Sequence, residues 1–186
     1  MQFSRREVIG FGAMSVAALA MAPASRAKAA AAREIDAETG IALERFFHRS
    51  PWSRSFAHRA AGILVFPTVV KAGFGFGGEY GEGSLLIGGR PAGYYNTVSA
   101  SFGFQLGAQA RSVIIMFMTP AALEGFRMRD GWKVGVDGSV AIVAVGAGGA
   151  VDTNTIHSPI VGFIFDQKGL MYNLTLEGSK ISPIYR

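Results

Sequence analysis

The sequence predicts an α+β fold: an antiparallel β-sheet core of sandwich or barrel type, with helices at the N-terminus and one helix in mid-chain. Three observations carry this expectation. Apolar residues recur at helical spacing between Ile35 and His48, and the period changes to two from Gly62 onward. A helix start at Thr119-Pro120 then interrupts the strands. The 25 glycines and 14 phenylalanines among 186 residues favour packed strands and turns over helices.

In chain order, Ile35 to His48 places Ile35, Ala42 and Phe46 on one face, with Leu43 and Phe47 beside it. Glu34, Asp36 and Glu38 occupy the first turns and Arg45, His48 and Arg49 the last, matching the helix dipole. Gly40 costs this helix about 1 kcal/mol relative to alanine. Ser50-Pro51 ends it and starts a short second helix, with Trp52, Phe56 and Ala60 inward and Arg54, His58 and Arg59 outward. Ile63 to Phe66 reads as a buried strand closed by Pro67, and Val69–Gly77, Gly83–Ile87, Tyr94–Gly107 and Ser112–Met118 as further strands. Turns are expected at Gly88 to Pro91 and at Gly107 to Arg111. Thr119 caps a helix that buries Leu123 and Phe126. Val134 to Val145 returns to strand, and a glycine-rich loop spans Gly146 to Asn154. A last hairpin pairs Ile160–Phe165 with Leu170–Leu176 across a turn at Asp166 to Gly169.

The N-terminus is set apart from this domain. Ser4-Arg5-Arg6-Glu7-Val8-Ile9 precedes an apolar run from Val8 to Ala22, and Ala27-Lys28-Ala29 is an A-x-A cleavage signature. The run is shorter than the ~20 residues that span a bilayer as a helix. Residues 1–29 are therefore expected to be an export signal of twin-arginine type, cleaved near Ala29, and residues 30–186 a single periplasmic domain. Cleavage removes Arg5, Arg6, Arg26 and Lys28 with Glu7. Lys plus Arg then falls from 18 to 14, Asp plus Glu from 13 to 12, and the net charge from +5 to +2. That charge lacks the strong basic excess of a nucleic-acid-binding domain. With no cysteine, disulfides, thiol catalysis and cysteine-zinc sites are excluded.

Gly73, Gly75 and Gly78 spell G-x-G-x-x-G, but a dinucleotide site needs a helix directly after the glycines to meet the phosphates. Glu79-Tyr80-Gly81-Glu82-Gly83 follows instead, with two carboxylates that would repel a pyrophosphate. A structural reading fits better. Phe74-Gly75-Phe76, Phe102-Gly103-Phe104 and Val134-Gly135-Val136 each set a glycine between large apolar residues, so neighbouring strands would present a smooth glycine strip.

Chemistry-bearing residues are sparse. His48 and His58 sit among arginines on the helices, and His157 precedes Ser158-Pro159 in a loop. Asp152-Thr153-Asn154 lacks the glycine and terminal glutamate of a calcium loop. Glu79 and Glu82 are the best acids, but on a strand their spacing sends them to opposite faces. Asn173-Leu174-Thr175 matches a glycosylation sequon without a fitting context. Arg45, Arg49, Arg54, Arg59 and Lys71 cluster in sequence around Phe46, Phe47, Trp52 and Phe56. Arginines and aromatics on short helices suit a lipid headgroup layer. On composition alone an ordinary amphipathic packing helix is the plainer account.

Runs spread over the chain decide between these. Ala61 to Pro67 (AGILVFP), Lys71 to Gly83 (KAGFGFGGEYGEG), Tyr94-Tyr95, Phe102 to Gln109 (FGFQLGAQ) and Met116 to Thr119 (MFMT) occur in order. Gly131 to Asp137 (GWKVGVD) and Leu176 to Ser179 (LEGS) close the series. From about Ile35 to the C-terminus the chain resembles the SYLF domain. The resemblance implies a lipid-binding module and not an enzyme. Its eukaryotic relatives bind phosphoinositide membranes and in some cases actin, through an N-terminal helix and basic residues. For an exported bacterial chain the expected ligand is an anionic phospholipid or another amphiphile, with the clustered Arg45, Arg49, Arg54, Arg59 and Lys71 as its expected contacts. No catalytic residue, metal, cofactor, nucleotide or nucleic acid is expected. A structural or envelope-stress protein that meets a protein partner through the glycine strip is the alternative. A hydrolase or metal-dependent enzyme resting on Glu79, Glu82 and His157 comes third.

Overall fold

In the computed structural model, residues 22–74, 76–102, 107–146, 157–169 and 176–186 are described. Helix α1 (Ala22–Arg49) is followed by α2 (Ser53–Arg59), then β1 (Gly62–Phe74), β2 (Phe76–Ile87), β3 (Arg90–Phe102) and β4 (Gly107–Phe117). Helix α3 (Pro120–Arg127), β5 (Trp132–Lys133), β6 (Ala141–Ala144), β7 (Ile160–Gly169) and β8 (Lys180–Ile184) complete the described elements. These strands form one 8-stranded sheet in the order β5-β8-β3-β2-β1-β4-β7-β6, antiparallel except for the β6–β7 pair. The sheet curls into a half-barrel, so the expected α+β class holds.

The strand alternation separates two apolar clusters. On the inner face, Leu64, Phe66, Leu85, Tyr95, Val113, Ile115 and Phe117 pack with Leu123 and Phe126 of α3 and with Trp132. The Phe126 ring lies 4.9 Å from Tyr95, 4.8 Å from Phe117 and 5.7 Å from Trp132. Thr119 Oγ1 accepts from Ala122 N at 3.2 Å, which fixes the start of α3 as its sequence requires. The curl closes toward this face, because a Cβ on Gly138 would meet both Trp132 near one edge and Ile160 near the other. On the outer face, Val65, Ile114, Met116, Phe163 and Phe165 pack under Ala42, Phe46 and Phe56 of the two N-terminal helices.

Helix α1 crosses the sheet along one row of paired residues, Tyr94–Ser84–Val65–Ile114–Phe163. At one end Asp36 accepts from Ser84 Oγ (3.2 Å) and from the Tyr94 hydroxyl (2.9 Å). Burial, then the Asp36 carboxylate, raises the Tyr94 phenol above its ordinary value and keeps it a donor. At the other end Phe46 meets Phe163 at 5.0 Å and Phe165 at 5.5 Å.

Several element boundaries differ from the sequence expectation. Helix α1 starts at Ala22 and not Ile35, since the exposed alanine-rich segment propagates the helix ahead of its packed part. Helix α2 starts at Ser53, after Ser50 O has accepted from Ser53 N at 2.9 Å. Pro67 does not close a strand. It sits at a bulge in central β1, where Phe66 and Pro67 oppose Gly83 alone between the pairs Val65↔Ser84 and Thr68↔Glu82. The turn expected at Gly107 to Arg111 is strand β4, and Asp166 to Gly169 continues β7, with Asp166 at φ 55°. Val134 to Val145 is strand only from Ala141 to Ala144, and Val134 to Gly138 turns back on itself. The hairpin at Gly88-Gly89 is a two-residue turn with both φ positive, as its glycines predict.

The glycine strip needs the same correction. Gly75 and Gly103 lie outside the described residues, as do Asp152 to Asn154 and Asn173 to Thr175. Gly135 sits in a turn at φ 85° and not on a strand. A glycine row does exist elsewhere, because Gly77, Gly73 and Gly107 pair in register across β2, β1 and β4.

Candidate functional site

The four arginines named from sequence gather on the outer face, where α1 and α2 meet. Arg45 Nη1 and Arg49 Nη2 lie 2.9 and 2.5 Å from the two carboxylate oxygens of Asp166. That carboxylate is buried (8% exposed) and ion-paired without well-aligned hydrogen bonds, so two guanidiniums share one anion. Arg54 reaches Glu44 at 3.2 Å and stacks over the Phe47 ring at 4.6 Å. Arg59 lies over the Phe56 ring at 4.8 Å. All four are exposed.

Between these helices and the start of the sheet opens a groove of about 490 Å³. Leu43, Phe47, Ala57, Ile63 and Leu86 form its apolar wall, and Arg54 belongs to its lining. His58 joins Arg54 there, whereas His48 is exposed beside Glu44 at 4.0 Å and His157 is exposed.

Lys71 does not join the arginines. The bulge at Pro67 reverses the alternation of β1, so Val69 and Lys71 point inward while Thr68 and Val70 point outward. Lys71 is buried, paired in register with Glu79 of β2 and Gln109 of β4. Glu79 Oε1 accepts from Arg111 Nη2 at 2.6 Å, with both residues about 5–6% exposed. The Gln109 side-chain amide nitrogen is buried there without a partner. Glu79 and Glu82 face opposite sides of the sheet, as their spacing predicts. Glu82 accepts on the outer face from the Tyr80 hydroxyl at 2.6 Å and pairs with Arg186. Strand β2 runs straight through Glu79 to Gly83, where a dinucleotide fingerprint would need a helix.

Sequence reasoning missed Asp166, the anion that holds Arg45 and Arg49, because its segment reads as a turn. It also missed Arg111, placed in another expected turn. One signal was available: Ala108-Gln109-Ala110-Arg111 alternates at period two and leads directly into the apolar run Val113 to Phe117.

A helix-capped, curled antiparallel sheet with a basic flank beside an apolar groove defines an α+β domain. Residues 98–184 match the family model Ysc84, described as Las17-binding protein actin regulator. The match runs from late β3 through β8 and is consistent with the resemblance to the SYLF domain. A comparison with curated proteins returns no match.

Proposed function

We propose that this chain is an exported, non-enzymatic domain that binds anionic phospholipid or a related amphiphile through the α1–α2 flank. One observation carries the reading: four exposed guanidiniums gather on α1 and α2, Arg54 lines the apolar groove there, and among the described residues Asp166 and Glu44 are the carboxylates they pair with. A basic rim with an apolar wall complements an acidic headgroup and the start of its acyl chain. The family description names a protein partner and an actin regulator, but a periplasmic chain does not meet actin. Lys71 drops out of this proposal because it lies on the other face.

Arg54→Ser with Arg59→Ser is expected to weaken binding to phosphatidylglycerol vesicles about tenfold or more, at ~1 kcal/mol per basic residue. Binding should also fall with salt. Both side chains are exposed, so thermal melts should barely move. Adding Arg45→Ser and Arg49→Ser lowers binding further but strips the buried Asp166 of both cations. That variant is therefore expected to lose stability as well. Unchanged vesicle co-sedimentation of a folded Arg54/Arg59 variant would overturn the reading.

The export route rests on Arg5-Arg6. Arg5→Lys with Arg6→Lys should leave the precursor in the cytoplasm, as seen by fractionation. Normal processing in a strain lacking the twin-arginine translocon would exclude that route. Cleavage after Ala29 would spare the part of α1 that packs, which begins at Ile35.

A further inference from the structure

The outer face of the sheet continues beyond α1, and no described helix covers it there. Val98, Tyr80 and Val70 pair directly across β3, β2 and β1, and each is exposed, at 46%, 49% and 45%. Val98 and Tyr80 stand four residues, ~13 Å, along their strands from the row that α1 covers, and Val70 five, the extra one being the bulge. Ala72, Gly78 and Ala100 form the next row, so no side chain shields the three. Tyr80 turns its hydroxyl to Glu82, which leaves the ring as the exposed part. An apolar row on an otherwise solvated sheet face marks a contact surface.

The same row names its partner through its ends. Val98 pairs with Lys180 of β8, which pairs with Lys133 of β5. On the other side Val70 pairs with Ala110 of β4, which pairs with Lys168 of β7. Across seven adjacent strands the outer face therefore reads Lys133–Lys180–Val98–Tyr80–Val70–Ala110–Lys168, and all three lysines are exposed. The curl puts the apolar residues on the crest and carries the lysines back along its flanks. Lys168 stands two residues from Asp166, so its flank is continuous with Arg45 and Arg49. The acid nearest the crest, Glu82, is already paired with Arg186.

We propose that this crest is a second membrane-contacting surface: Val70, Tyr80 and Val98 enter the interfacial layer of an anionic bilayer while Lys133, Lys168 and Lys180 meet its phosphates. Side chains with an apolar body between cationic ends suit a headgroup boundary and not a neutral protein groove. The inference rests on the lipid-binding reading above but assigns a different set of residues.

The chain has no cysteine, so single labels report cleanly. Val98→Cys carrying an environment-sensitive dye should shift to the blue on adding vesicles of phosphatidylcholine with phosphatidylglycerol. A label at Met128→Cys, exposed at the end of α3, which packs on the inner face, should not shift. The triple change of Val70, Tyr80 and Val98 to Thr keeps strand propensity. It should reduce vesicle partitioning about tenfold, including the part that survives high salt. Changing Lys133, Lys168 and Lys180 to Gln should instead lower the phosphatidylglycerol dependence, leaving the share due to the arginine flank, and spare the part of binding that survives high salt. If the parent binds vesicles while the Val98 dye stays unmoved and the Thr variant binds equally, the crest is refuted and the arginine flank stands. If the parent binds no vesicles, both fall. A dye shift that follows protein concentration without lipid would make the crest a contact between copies and overturn the proposal.

Discussion

Glu79→Ala is expected to destabilise the fold by about 3–5 kcal/mol, because it removes the carboxylate paired with a buried arginine. Arg111 is 5% exposed and donates to Glu79 at 2.6 Å. Lys71 stands opposite Glu79 on the same inner face, so two buried cations would lose that carboxylate. For a chain of this size the melting temperature should drop by roughly 10 °C. The triple change Glu79→Leu, Arg111→Met and Lys71→Met should recover much of the loss, since apolar side chains escape the desolvation penalty. Urea denaturation checks both. A single variant within about 1 kcal/mol of the parent would mean the pair does not stabilise the inner face.

That pair also shows how far the sequence could be read. Elements with strong local signals were legible: the buried stripe Ile35, Ala42, Phe46, the Thr119 cap and the Gly88-Gly89 turn all appear as expected. Each is decided by residues a few positions apart. What failed was decided across strands. A proline normally ends a strand, and only the pairing of β1 on both sides shows that Pro67 occupies a bulge. The bulge then reverses every side chain after it, which is why Lys71 was grouped with the arginines yet lies inside with Glu79.

The candidate site divides along the same line. The arginines and aromatics of α1 and α2 lie close in sequence, so their clustering was visible. Their anion was not, because Asp166 is more than a hundred residues away and its neighbours Gln167-Lys168-Gly169 carry turn chemistry. The lysine-flanked crest was beyond reach for a further reason. Its members come from seven strands, and their order in the sheet follows none of the spacing rules that apply within one strand.

Two glycine substitutions should move stability in opposite directions, and together they test where glycine is required. At Gly83 a Cβ would run into the Val65 carbonyl and approach Phe66 Cδ1 to 2.8 Å. The obstruction is largely backbone at the Pro67 bulge, which is held on its other side by Ser112 Oγ bonded to Pro67 O at 2.7 Å. The strand has nowhere to give. Gly83→Ala is therefore expected to cost about 3 kcal/mol, the upper end of ordinary overpacking, and to reduce soluble yield. At Gly40 a Cβ would meet nothing within 4 Å, on the exposed side of α1. Gly40→Ala should stabilise the chain by about 1 kcal/mol, the helix propensity that glycine forfeits. Paired denaturation curves decide the matter. If Gly83→Ala unfolds at the parent's midpoint, the two-against-one bulge opposite Gly83 is wrong, and with it the inward placement of Lys71.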